Sequence, residues 1–112
     1  MGTILLYADR ELCYSMHVIS RKRLVEFWQE HADAAGQLQA WFHVTCKAEW
    51  ANSAELKAKF GAASIINAER VVFNVCGNKY RLVVRINYAS KTVFIRFVGT
   101  HAQYDRIDPE SV

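Results

Sequence analysis

The sequence predicts an α+β domain in which two to three N-terminal helices pack on a three- to four-stranded antiparallel sheet. Two observations carry that expectation. Apolar residues recur at helical spacing through the first half of the chain and switch to a period of two in the second. Two tight-turn signals, Gly77-Asn78 and Ser90-Lys91, then divide the alternating half into neighbouring strands. With 112 residues, 52% of them hydrophobic and a single proline, the chain has the size and composition of one folded domain with its own core.

Residues 17 to 19 read as a short strand, and Ser20 as the N-cap of a helix carrying Leu24, Val25, Phe27 and Trp28 on one face. The run Arg21-Lys22-Arg23 falls in its first turn, where the helix dipole disfavours cations. It suits a solvated face, with RNA contact as the alternative. A second helix is predicted from Asp33 to about Trp50, with Leu38, Trp41, Phe42, Thr45 and Cys46 at i, i+3, i+4 spacing. Ser53-Ala54-Glu55-Leu56 suggests a short capped helix ending near Gly61, with Lys57 and Lys59 exposed.

Cys13, Cys46 and Cys76 are odd in number and form no CxxC pair. A disulfide framework or a zinc site is therefore not expected, Cys46 reads as a small buried hydrophobe, and a reduced cytoplasmic setting is the default. His31 and His43 have no partners at metal-ligand spacing, so neither metal nor cofactor is expected. No apolar stretch reaches membrane-spanning length. The net charge of +3 permits an anionic partner without demanding one.

Turn placement fixes a predicted register. Around Gly77-Asn78, Val75 faces Tyr80, Phe73 faces Leu82 and Val71 faces Val84, all on one apolar side. The other side pairs Asn74 with Arg81, Val72 with Val83 and Arg70 with Arg85. Around Ser90-Lys91, Ile86 is expected opposite Ile95, Val84 opposite Phe97, Arg85 opposite Arg96 and Arg81 opposite Thr100. This gathers Arg70, Arg85 and Arg96 into one row and Asn74, Arg81 and Thr100 into another, with His101 next. Like charges directly opposite one another destabilise a sheet, by roughly 0.2–1 kcal/mol per pair. Such a row fits a polyanion-binding face, because guanidinium forks match phosphate oxygens, with a solvated outer face whose arginines splay into water or meet loop Asp and Glu as the alternative.

RNA cleavage without a metal needs a base for the 2′-hydroxyl, an acid for the 5′-oxygen and cations for the charge on the phosphate. Imidazole titrates in the range that acid or base work near neutrality requires, which nominates His101. Tyr104 is a candidate proton donor or base-stacking partner. Arg81 is the best-placed cation, and Asp105 is a candidate for orienting His101 or Arg81. Lys79, beside the first turn, joins Arg70, Asn74, Arg85, Arg96 and Thr100 as an RNA-binding candidate.

From Met16 to Ile107 the chain resembles the HigB-type toxins of type II toxin–antitoxin systems, within the RelE/ParE-like superfamily. The stretches that carry the likeness are Val72-Phe73-Asn74-Val75, Gly77-Asn78-Lys79-Tyr80-Arg81-Leu82 and Thr100-His101-x-x-Tyr104-Asp105. The resemblance implies a RelE-like fold, a cofactor-free mRNA interferase acting on messages at the ribosome, and a HigA-type helix-turn-helix antitoxin as partner. It makes residues 16–112 the toxin domain and residues 1–15 an extension outside the family pattern, with an extra strand or arm as the alternative. Laid on the RelE pattern, Arg81 matches a strand arginine, His101 falls near a second arginine, and Val72 and Asn74 stand where lysines supply the base. The base position therefore departs from that pattern. ParE-like toxins, which poison DNA gyrase without cleaving RNA, share the fold and give the alternative activity, as does a decayed toxin that only binds RNA or its antitoxin.

Overall fold

The computed structural model describes residues 15–112. Except for Ser15, the expected N-terminal extension lies outside the described residues. The chain forms β1 (His17–Ile19), α1 (Arg21–Glu30), a 3-10 turn (Ala32–Ala34), α2 (Ala35–Lys47), α3 (Ser53–Lys59), β2 (Ser64–Ile65), β3 (Arg70–Val75), β4 (Tyr80–Asn87), β5 (Thr92–Thr100) and α4 (His101–Tyr104). The strands make one sheet in the order β1-β5-β4-β3-β2. Strand β1 runs parallel to β5, and the other neighbours are antiparallel.

The sheet is thus mixed and five-stranded, larger than the three or four antiparallel strands expected. Strands of three and two residues are too short to show alternation, and pattern alone does not say which neighbour a strand joins. Among the described residues the N-terminal helices number three, as the upper expectation had it. Two caps differ. Ser20 sits in the left-handed region at φ 73° and makes no side-chain cap. Asn52, not Ser53, caps α3: its Oδ1 accepts from Glu55 N at 3.0 Å, while Glu55 Oε1 accepts from Ala51 N at 3.0 Å. The helix expected from Asp33 to Trp50 is shorter, because a 3-10 turn replaces its start and it ends at Lys47. Cys46 is buried in the core, as expected, but it is disulfide-bonded, correcting the expectation of no disulfide, whereas Cys76 is free. Three cysteines without a spacing motif leave their pairing illegible in the sequence.

The core lies between the helices and one face of the sheet. Leu24, Leu38, Leu56, Val71, Leu82, Val84 and Val93 are completely buried there. Burial of each such side chain contributes about 1.5–3 kcal/mol. Trp41, Phe73, Phe60 and Trp50 form a chain of edge-to-face rings with centroids 5.5, 5.1 and 5.8 Å apart, which ties α2 and the end of α3 to β3. Such pairs add about 0.5–1.5 kcal/mol each beyond their area.

The opposite face is also covered. Val72 and Val83 point away from the helices yet are buried. The chain after β5 folds back over them: α4 packs on β4 and β5, and Val112 reaches Arg70 and Arg96.

The β3–β4 register is the expected one at all six pairs, from Arg70 with Arg85 to Val75 with Tyr80. The β4–β5 register differs. Its turn falls earlier, so Ile86 pairs with Val93, Val84 with Ile95 and Arg85 with Phe94. A bulge then inserts Arg96 between the Val84–Ile95 and Val83–Phe97 pairs. One extra residue flips everything after it to the other face. Phe97 and Gly99 therefore stand on the arginine side, while Thr100 pairs with Tyr80. On the outer side of β5, Arg23 of α1 donates from Nη1 to the Ile95 carbonyl at 3.1 Å, beside the bulge.

Candidate active site

The site is built where β4 begins and β5 ends. The β3–β4 turn is closed by Lys79 N donating to Cys76 O at 3.2 Å, with Cys76 and Gly77 at φ 54° and 67°. Positive φ at the first centre of a hairpin turn suits glycine, which has no Cβ to clash. Strand β4 then delivers Arg81 onto the face opposite the helices. Gly99 pairs with it from β5, and His101 N donates to Lys79 O at 3.0 Å, which holds the start of α4 against the same corner.

Thr100 sets that helix. Its hydroxyl accepts from Gln103 N at 3.2 Å while Gln103 Oε1 accepts from Thr100 N at 2.9 Å, a complete capping box. Thr100 is thus spent on structure on the far side of β5, away from the row expected for it. The helix places His101 and Asp105 on one side, with Nδ1 3.1 Å from Oδ2. It places Tyr104 over Arg81, the guanidinium carbon 5.7 Å from the ring centre. Phe97 supports Tyr104, ring centroids 6.4 Å apart.

Arg81 is the unusual member. It is only 9% exposed, the one charged residue buried among the described residues. Its Nη1 donates to Tyr80 O at 3.2 Å and its Nη2 to Asn78 Oδ1 at 3.4 Å. No carboxylate pairs with it among the described residues. A guanidinium has five donors, and a charge withdrawn from water without a counter-charge carries a desolvation cost of order a few kcal/mol. Tyr104 offsets part of that through its ring.

The remaining candidates are distributed differently. Lys79 is paired with Asp33, whose other oxygen accepts from Tyr80 Oη at 2.7 Å. These hydrogen bonds from Lys79 and Tyr80 hold the Asp33 carboxyl below its usual value and, reciprocally, raise Lys79 and Tyr80 above theirs. The triad pins the 3-10 turn to the start of β4, so Lys79 acts as a strut. Arg85 pairs with Glu69 at 3.1 Å. Arg96 is not in line with Arg70 and Arg85: Phe94 takes that place, its ring 6.0 Å from Arg85. Arg70 Nη2 and Arg96 Nε instead converge on the Val112 main-chain oxygen, at 3.1 and 3.2 Å. Asn74 is exposed opposite Arg81, as expected.

The structure therefore brings Arg81, His101, Tyr104 and Asp105 to one corner with Asn74 beside it, and sets Arg70, Arg85, Arg96, Lys79 and Thr100 to holding other parts of the fold. Asn78 was read from the sequence only as a turn residue; Asp33, Phe97, Gly99 and Gln103 were not singled out as site residues. The Thr100-x-x-Gln103 spacing was the one legible signal among them, as a capping box. Among the described residues no group of three or more His, Cys, Asp or Glu side chains is arranged to hold a metal ion.

The family model described as HigB_toxin, the RelE-like toxic component of a toxin–antitoxin system, matches residues 34–107. The chain belongs to the HigB toxin family. The matched span runs from the 3-10 turn through α4 and contains every HigB-family candidate residue named above. Relatives include the mRNA interferase toxin HigB of Escherichia coli K12, 30% identical over 92 residues covering 80% of this chain and 88% of that protein. The mRNA interferase HigB of Escherichia coli O6:H1 is 24% identical over 94 residues, 82% of this chain and 91% of its own length. A Shigella flexneri protein of the same description is 30% identical. Among the described residues no helix is long and apolar enough to cross a membrane.

Proposed function

We propose that this HigB-family toxin is an endoribonuclease that cleaves messenger RNA, on translating ribosomes, by acid/base chemistry that needs no metal. The observation that carries the reading is the buried, carboxylate-free Arg81 beneath Tyr104, which shares its helical turn with the His101–Asp105 pair. A cation held in that state gains most when a phosphate arrives, and more as charge builds on the phosphoryl oxygens.

In the reaction, the ribose 2′-oxygen attacks the adjacent phosphorus and the bond to the 5′-oxygen breaks. The 2′-hydroxyl proton passes to a base, and the departing 5′-oxygen takes up a proton, leaving a 2′,3′-cyclic phosphate and a 5′-hydroxyl. His101 carries one of these transfers, with Asp105 fixing its ring through Nδ1. Tyr104 donates the other proton or stacks on the flanking base, and Arg81 neutralises the non-bridging oxygens. A HigA-type helix-turn-helix antitoxin is the partner that restrains it, in the cytoplasm.

The test is induction of the toxin in cells, followed by mapping of message ends and of plasmid supercoiling. Fragmented messages with unchanged supercoiling are expected. Intact messages with relaxed plasmids would replace this reading with gyrase poisoning.

A further inference from the structure

Next to Arg81, across β3, lies a second feature that the cleavage chemistry does not use. Strand β2 pairs with only Val71 and Val72 of β3, so the β3 edge beyond them is open. There a cavity of about 280 Å3 is bounded by Lys59, Phe60, residues 61–63, Phe73 and Asn74. Its wall is held in place: Ala63 N donates to Phe60 O at 3.0 Å, and Lys57 Nζ donates to Ala63 O. Phe60 and Phe73 meet edge-to-face at 5.1 Å and make its apolar side.

Its polar groups are uncommitted. Asn74 is exposed, and its amide bonds to nothing among the described residues, although it stands directly opposite Arg81. The Lys59 ammonium is exposed at the rim. The Gly61 and Ala62 N–H groups have no partner among the described residues. An amide, an ammonium and free backbone donors around an aromatic side match the requirements of a nucleobase, which offers a π-face and an edge of acceptors and donors. Directly paired residues on neighbouring strands lie about 5 Å apart, so a nucleotide whose phosphate sits on Arg81 has its neighbour within reach of this edge.

We propose that this β3-edge cavity is a base-specificity site, holding an unpaired purine of the RNA strand next to the phosphate at Arg81. Asn74 reads the N7 edge that adenine and guanine share, with Lys59 as the second donor. The proposal rests on the nuclease reading for its position, but its chemistry is tested by binding alone.

The experiment uses His101→Ala protein, which binds RNA without cutting it, and short single-stranded RNA oligonucleotides, purine-rich against pyrimidine-rich, followed by fluorescence anisotropy. Two further substitutions are added singly. Asn74→Ala removes the reading group. Gly61→Leu adds a bulky side chain to the cavity wall, at a position where a Cβ meets nothing within 4 Å. The expected result is a purine preference that drops about fivefold or more in both variants, the lower range of what one good base contact supplies. An equal preference in all three proteins overturns the proposal, as does the absence of any preference without the added substitutions. Mapping of cut sites with active protein separates the two readings. Preference lost in binding while no active protein cuts any RNA sinks the nuclease reading and leaves this site standing.

Discussion

Replacing Gly99 by alanine tests how the site is held together. A Cβ there would lie 2.6 Å from Gln103 Oε1 and 2.7 Å from Phe97 Cζ, both far inside contact distance. Each neighbour is able to yield only by giving up something. Gln103 moves by breaking its bond to Thr100 N, which opens the capping box of α4. Phe97 moves by pushing on Tyr104, whose ring lies over Arg81. Loss of a cap costs about 0.5–2 kcal/mol. Overpacking costs about 1–3 kcal/mol, and because relief of one clash eases the other the two do not add. A destabilisation of about 2 kcal/mol follows, or a fall of roughly 8–12 °C in melting temperature for a domain of this size. Calorimetry reads the stability, and cleavage of a defined RNA under single-turnover conditions reads the site. Gln103→Ala is the control, since it opens the cap without touching Phe97 and costs about 1 kcal/mol. Gly99→Ala protein that melts within about 2 °C of the parent and cuts RNA at the parental rate would refute this account of how Tyr104 is placed.

Three further outcomes are expected. Asp33 has its folded pKa below the usual 3.8, so the stability it supplies is present above that value and is lost as pH falls through the lowered one; urea midpoints of the parent and Asp33→Asn should differ near neutrality and converge in acid. Arg23→Met removes the donor to Ile95 O beside the bulge and should cost about 1–3 kcal/mol in chemical denaturation, as a part-buried carbonyl is left unpaired. Arg70→Ala and Arg96→Ala each remove a donor from the Val112 oxygen, and limited proteolysis should then cut residues 105–112 faster than in the parent, with protection unchanged elsewhere.

The first hairpin was fully legible because Gly77 permits the positive φ its turn requires and the apolar face excludes a one-residue slip. The second was not. Ser90-Lys91 sits one position past the turn's centre, and the resulting two-residue offset keeps Val93 and Ile95 on the core side. Alternation is blind to such an offset, since a shift of two preserves every facing. The Arg96 bulge was hidden for a related reason: Phe97 and Val98 are both apolar, so a flip between them leaves the pattern intact. The turn offset took Arg96 out of its expected place opposite Arg85, and offset and bulge together set Gly99 rather than Thr100 beside Arg81. His101, Tyr104 and Asp105 remained readable because a single helical turn, Thr100 onward, brings them together locally. Asp33 was invisible to a local reading, being 46 residues from Lys79 and 47 from Tyr80.

The most direct measurement is the single-turnover rate of RNA cleavage on ribosomes by folded His101→Ala and Arg81→Ala proteins beside the parent. General acid/base groups and preorganised cations are each worth about 10²–10⁴ in rate, so both variants should fall at least about a hundredfold while their circular dichroism spectra and melting curves stay parental. Rates for both within about twofold of the parent would contradict the assignment of the chemistry to this corner of the sheet.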